Sequence, residues 1–242
     1  APTFRREFFE AVIEASRDWD ADLILLTGDI VDDPEMIEWI QPVLGRLKAR
    51  LGKFAILGNH DFENQPDAIL AALENAGFTT LEGKWTTIPI DGATLALGGT
   101  SAPWGPRLPT DHAPEADFRI VLSHSPDQFP ALRKEKIDLI FAGHNHGGQI
   151  RLPMIGPVLM PSRYSRRFDR GFFRSKSTLM FVSEGVAGKH PIRLGSLPEI
   201  GRFVLHATGR AVDHQQPRRS RAHGAKAASV TEPEPISQSG IP

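Results

Sequence analysis

Leu23-Ile24-Leu25-Leu26 runs directly into Thr27-Gly28-Asp29-Ile30-Val31-Asp32, and that junction decides how the chain is read. Four apolar residues in succession are too short for a helix and lack the alternation of a half-solvated strand. They predict a short strand covered on both faces, ended by Gly28, with Asp29 at its carboxyl end. The pattern returns three times. Phe54-Ala55-Ile56-Leu57 enters Gly58-Asn59-His60-Asp61, Ile120-Val121-Leu122 enters Ser123-His124, and Leu139-Ile140-Phe141-Ala142 enters Gly143-His144-Asn145-His146.

Between these runs lie helical stretches, roughly Pro34 to Arg50, Pro66 to Ala76 and Pro126 to Lys134, each opening with a proline in its first turn. Before the first strand, Phe4, Phe8, Phe9, Val12 and Ile13 recur at helical spacing against charged residues, which predicts an amphipathic helix ending near Asp20. Trp85 to Ile90 and Thr94 to Leu97 flank Asp91-Gly92 as a hairpin. Leu179 to Ser183 and Arg202 to Ala207 read as strands of a second sheet. Alternating strands and helices give an α/β class: two facing, mostly mixed β-sheets flanked by helices, with the strand that should precede the first helix missing. The folded domain is expected over residues 1–207. Residues 208–242, where the apolar pattern gives way to Arg, Ser, Pro, Gln and Glu, are expected to be a disordered tail.

With 242 residues and 40% hydrophobic content, the chain can bury a sizeable core, and its formal charge of -1 gives no global attraction to nucleic acid or anionic membranes. No run approaches the roughly 18 apolar residues that span a bilayer. The opening Ala1-Pro2-Thr3 has neither an initiating methionine nor a signal-peptide core, so the chain reads as a fragment or processed form of a longer protein. The absence of cysteine removes disulfides, thiolate metal sites and a cysteine nucleophile, leaving His, Asp, Glu and Asn as metal ligands.

In α/β sheets ligands collect beyond the carboxyl ends of the strands. Taken singly, each strand end here has a plain structural reading: an Asx turn at Asp29, a left-handed residue at Asn59, a hydrogen-bonded core histidine at His124. Clustered imidazoles such as His144 and His146 lean towards a metal, and four of the nine histidines fall at these junctions.

In order and spacing, Gly28-Asp29-Ile30-Val31-Asp32, Gly58-Asn59-His60-Asp61, Ser123-His124 and Gly143-His144-Asn145-His146 resemble motifs two to five of the calcineurin-like metallophosphoesterases. The resemblance spans about residues 20 to 205. It implies that Asp29 bridges two metals, that Asn59, His124 and His144 complete the ligands of the second, and that His146 reaches the first. By the same resemblance, His60 is the catalytic histidine near the leaving group, Asp32 orients it, and Asp61 supports the ligands from behind. The reaction implied is hydrolysis of phosphodiester or pyrophosphate bonds. Two divalent transition metals, manganese first and iron, zinc or cobalt otherwise, would bind the phosphoryl oxygens and acidify a water. The family's first motif, Asp-x-His, has no counterpart. Asp111-His112 and Asp213-His214 are adjacent pairs, and truncation before residue 1 would explain the gap, leaving the first site incomplete as written.

Beyond the fifth motif, Gly147-Gly148-Gln149-Ile150-Arg151-Leu152-Pro153 and Pro191-Ile192-Arg193-Leu194-Gly195 resemble a bacterial membrane-associated branch of that superfamily. Some of its members cleave UDP-2,3-diacylglucosamine in lipid A biosynthesis. This implies a lipid-linked substrate and a cytoplasmic location at the inner face of the bacterial membrane. Arg163, Arg166, Arg167, Arg170 and Arg174, interleaved with Tyr164, Phe168, Phe172 and Phe173, read either as a segment meeting lipid headgroups or as a solvated basic loop with inward aromatics. No nucleic-acid partner is expected. Nucleotide or cyclic-nucleotide phosphodiesterase activity, or a catalytically silent binding scaffold, stand as alternatives.

Overall fold

Short apolar strands separated by helices long enough to cross back over a sheet force parallel pairing. In the computed structural model, which describes residues 4–158, 160–188, 192–206 and 229–230, the first half of the chain does this. Helix α1 (Arg6–Ala15) precedes strand β1 (Leu23–Leu26), α2 (Ile37–Leu44), β2 (Gly52–Ala55), α3 (Asn59–Glu63), α4 (Pro66–Asn75) and β3 (Phe78–Thr80). The three strands form a parallel sheet in the order β1-β2-β3. Val31, Ile40, Leu57, Ile69 and Leu73 are buried between it and its helices.

Then follow β4 (Trp85–Ile90), β5 (Ala93–Thr100), β6 (Phe118–Ser123), α5 (Phe129–Leu132), β7 (Leu139–Ala142), the small ribbon β8 (Arg151–Leu152) and β9 (Gly156–Pro157), β10 (Gly171–Ser175) and β11 (Thr178–Val182). A six-stranded sheet has the order β10-β11-β7-β6-β5-β4, parallel from β11 to β5 and antiparallel at both edges. Its core gathers Val121, Phe129, Ile137, Ile140, Phe168 and Met180. The β4–β5 turn carries Asp91 at φ 46° and Gly92 at φ 82°, the left-handed pair of a tight two-residue hairpin.

The sheets meet along a seam where Leu81 N–H donates to the Ala55 carbonyl (2.9 Å) and Gly83 N–H to that of Gly99 (3.1 Å). Between them Glu82 accepts from Leu57 N–H at 2.7 Å and Ser101 Oγ–H at 2.6 Å. This seam brings the exits of β1 and β2 beside those of β6 and β7.

Several sequence expectations are corrected. β1 is half-buried throughout rather than covered on both faces, because it is an edge strand, paired among the described residues only with β2. The smaller sheet is parallel, not mixed. The helix expected from Pro34 to Arg50 is a single 3-10 turn followed by α2, which stops at Leu44 two residues after Pro42. The strand expected over 202–207 reduces to β12 (Leu205–His206), which pairs with β13 (Ser229–Val230) in a second unit, residues 201–242, distinct from the unit 1–200. Otherwise the tail expected over 208–242 lies outside the described residues.

Candidate metal centre

The turn after β1 is left-handed, with Gly28 at φ 92° and Asp29 at φ 54°, and it aims the Asp29 carboxylate across the seam. Gly58, after β2, must lack a side chain: a Cβ there would overlap Asp29 Oδ1 and the His124 ring. His124, at the end of β6, is held from behind by the Thr27 carbonyl, 2.8 Å from Nδ1. That contact puts the ring proton on Nδ1 and leaves the Nε2 lone pair pointing at Asn59 Oδ1 (3.1 Å) and Asp29 Oδ1 (3.4 Å). Three acceptor atoms facing one another are repulsive unless a cation lies among them. A proton is a poor candidate, since burial pushes the His124 pKa down.

Two further atoms point the same way. Asp29 Oδ2 and His144 Nδ1 are buried without a hydrogen-bond partner. Ligand atoms of Asp29, His124 and His144 lie within 4.8 Å of one another. On the other side of Asp29, His146 Nε2 is 3.8 Å from Oδ2. The two oxygens of one carboxylate thus face different imidazoles, the arrangement a shared ligand between two cations requires. Oxygen and imidazole donors in this proportion suit a divalent transition metal.

Burial alone would raise the Asp29 pKa, but the imidazoles of His146, His124 and His60, with the His60 amide, outweigh it and hold the carboxyl well below its usual range. Burial, with His124 adding to it, pushes His144 down to about 4, against the Asp29 charge and a weaker hydrogen bond to the Pro161 backbone. The anion and the neutral imidazoles are the forms that bind metal.

His60, in the first turn of α3, lies beside this group. Its backbone N–H donates to Asp29 Oδ1 at 3.1 Å, and its Nδ1 makes a short contact with Asp32 Oδ1. Asp61, fully buried, faces away and accepts from Val31 and Ile30 N–H at 2.9 Å and from Gly58 N–H at 2.8 Å. It clamps the β1 and β2 exit loops together. Burial, with the Asp29 charge adding to it, pushes its pKa up to about 7 against those three amides.

Three features of the site escaped sequence reasoning. The Trp104 ring lies 4.7 Å from that of His144 and 5.5 Å from that of His124, forming one wall. A single tryptophan in a proline-rich loop carries no spacing signal. The Thr27 carbonyl is main chain and invisible to residue type. Ser196, buried, donates to the His146 carbonyl at 2.9 Å, bringing a distant segment against that ligand.

The arginine segment is divided. Asp127 accepts from the backbone N–H groups of Arg163 (2.7 Å) and Tyr164 (3.2 Å), and Asn145 donates to the Phe168 carbonyl at 2.6 Å. Residues 163–168 are thereby pinned to the loops bearing His124 and His144. Arg167 lies over the Phe168 ring, and Arg170 pairs with Glu184 at 2.5 Å. The Arg166 side chain lies outside the described residues. Arg174, opposite Leu179 in β10, sits at the far end of the sheet from the site. Phe168 is buried and Phe173 packs on the core, so these aromatics turn inward.

A family model described as calcineurin-like phosphoesterase matches residues 3–148, and the chain belongs to that family: it is a metallophosphoesterase-type hydrolase. Among curated relatives, a Bacillus subtilis protein described as the uncharacterized metallophosphoesterase YkuE is 32% identical over 224 residues, covering 85% of this chain and 75% of the relative. Phosphodiesterase YaeI of Escherichia coli is 33% identical over 190 residues, covering 76% and 70%. The solved structure of Haemophilus influenzae NAD nucleotidase (NadN) shares the fold at 14% identity and a TM-score of 0.52, over 93% of this chain and 48% of that one.

Proposed function

We propose that this chain hydrolyses phosphodiester or pyrophosphate bonds of a lipid-linked substrate of the UDP-2,3-diacylglucosamine kind, at the inner face of a bacterial membrane. The observation that carries the hydrolytic part is the inward-facing acceptor cluster of Asp29, Asn59 and His124 beside the His60–Asp32 pair. Asp29, Asn59, His124 and His144 would hold one divalent metal, manganese by preference, and Asp29 with His146 would face a second. When bound, such metals supply Lewis-acid charge to phosphoryl oxygens and lower the pKa of water. Asp32 fixes the His60 ring through Nδ1, so Nε2 is the atom that meets the departing oxygen and delivers its proton. Asp61 keeps the two ligand loops in register.

The substrate part is supported by the name of the YaeI relative, a phosphodiesterase, and by the likeness of the segments 147–153 and 191–195 to the membrane-associated branch. It is tested by hydrolysis, with manganese, of an acylated UDP-glucosamine, an aryl phosphodiester and a cyclic nucleotide, using the full-length polypeptide containing this chain. Preference for the acylated substrate is expected. Preference for the cyclic nucleotide would replace the lipid reading, and inertness on all three despite bound metal would leave a binding scaffold.

A further inference from the structure

Apolar side chains normally reach the surface singly, but here they are collected. Of the twelve large hydrophobic residues exposed among the described residues, nine lie between Ile150 and Leu197. The ribbon β8–β9 presents Leu152, Met154, Ile155 and Val158, and at its tip Met154 is fully exposed and left-handed at φ 64°. A parallel bridge between Ile150 and Leu194 brings the exposed Leu194 alongside it, with Leu197 three residues on. With Met154 fully exposed at the turn and Ile155, Val158, Leu194 and Leu197 more than half exposed, the cluster offers its apolar atoms to the outside and suits a soft surface.

Arginines lie in the ribbon and in the segment that follows it in sequence. Asp169 and Glu184 are taken up by Arg151 (2.8 Å) and Arg170 (2.5 Å), while among the described residues no carboxylate forms an ion pair with the exposed guanidinium groups of Arg163 or Arg167. The base of the ribbon is fixed to the metal loop, because Arg151 Nη1 donates to the Gly147 carbonyl at 3.2 Å. No helix among the described residues is long and apolar enough to cross a membrane.

We infer that the β8–β9 turn is a prong that inserts into the surface of an anionic phospholipid bilayer, with Arg163 and Arg167 meeting the headgroups. Apolar tip and cationic collar are the two components interfacial attachment needs. Because the prong grows from the loop that carries His146, insertion sets the site at the level of the headgroups. The inference shares a membrane with the proposed substrate but does not need turnover, so vesicle binding and hydrolysis can fail separately.

The test is flotation of the protein with vesicles of phosphatidylcholine alone or mixed with phosphatidylglycerol, comparing wild type with Met154→Asp/Ile155→Asp. Wild type should float with the anionic vesicles, less so as salt rises. The double variant should lose about tenfold or more in partitioning, with an unchanged thermal midpoint because both positions are solvent-exposed. Arg163→Gln/Arg167→Gln should lose mainly the preference for phosphatidylglycerol. Wild type that stays with neither vesicle, or a tip variant that floats as well as wild type, overturns the inference. So does light scattering that finds a wild-type dimer and a monomeric tip variant, which would make this face a contact between copies.

Discussion

Removing the Asp61 carboxylate would test whether the two loops carrying Asp29 and Asn59 are held by one buried anchor. Asp61 is fully buried and accepts from the amides of Ile30, Val31 and Gly58 at 2.8 to 2.9 Å. Asp61→Ala leaves three N–H groups facing a cavity. Each unsatisfied donor costs about 1–3 kcal/mol, and a water can enter a polar cavity of that size and recover part of the loss. The expected net is about 3–5 kcal/mol, a large share of the roughly 5–15 kcal/mol available to a domain. Urea unfolding of chelator-treated protein should therefore show a midpoint shifted far down with an unchanged slope. Metal affinity should fall as well, because Asp29 and Asn59 lose their common support. A loss below about 1 kcal/mol would mean that the clamp is not what joins the loops.

Other outcomes follow from the same geometry. His60→Ala should retain metal by elemental analysis and lose about 10²–10⁴ in turnover, whereas His124→Ala should lose metal; equal metal loss in both would remove His60 from its proposed place. Gly58→Ala should lose stability and bind metal poorly, since its Cβ meets Asp29 Oδ1, the His124 ring and the Asp29 backbone nitrogen, as thermal melting and a calorimetric titration would show. In metal-free protein, His144 with a pKa near 4, depressed from 6.5, takes up its proton more readily when unfolded. Stability should therefore rise between about pH 4 and 6.5 and level off on either side of that window as far as this group is concerned, and His144→Gln should flatten the slope measured by thermal melting. Trp104→Ala uncovers both imidazoles, and the pH at which half the metal is lost should move upward as protons compete better.

The four strand exits were legible because an apolar run stopped by glycine and followed by a metal-competent side chain is a local pattern. Leu139–Ala142 is a strand to the residue. What escaped was set by neighbours distant in sequence. β1 reads like a buried strand, yet it is half-exposed in a sheet where, among the described residues, it pairs only with β2. β10 reads as a cationic loop because Arg170 and Arg174 bracket Phe172 and Phe173, yet pairing with β11 makes it a strand and turns Phe173 into the core. At the site, residue types disclosed Asp29, His60, His124, His144 and His146 as candidates. Nothing in them disclosed that the main chain of Thr27 would fix the tautomer of His124.

Asp29, His144 and His146 all occupy the left-handed region, at φ 54°, 69° and 46°, where a side chain costs about 1 kcal/mol or more and glycine would sit without strain. Selection for heat resistance alone would therefore tend to trade these residues for glycine, and libraries screened by melting temperature should drift towards less strained, inactive descendants. Any effort to harden this scaffold has to screen metal retention alongside robustness.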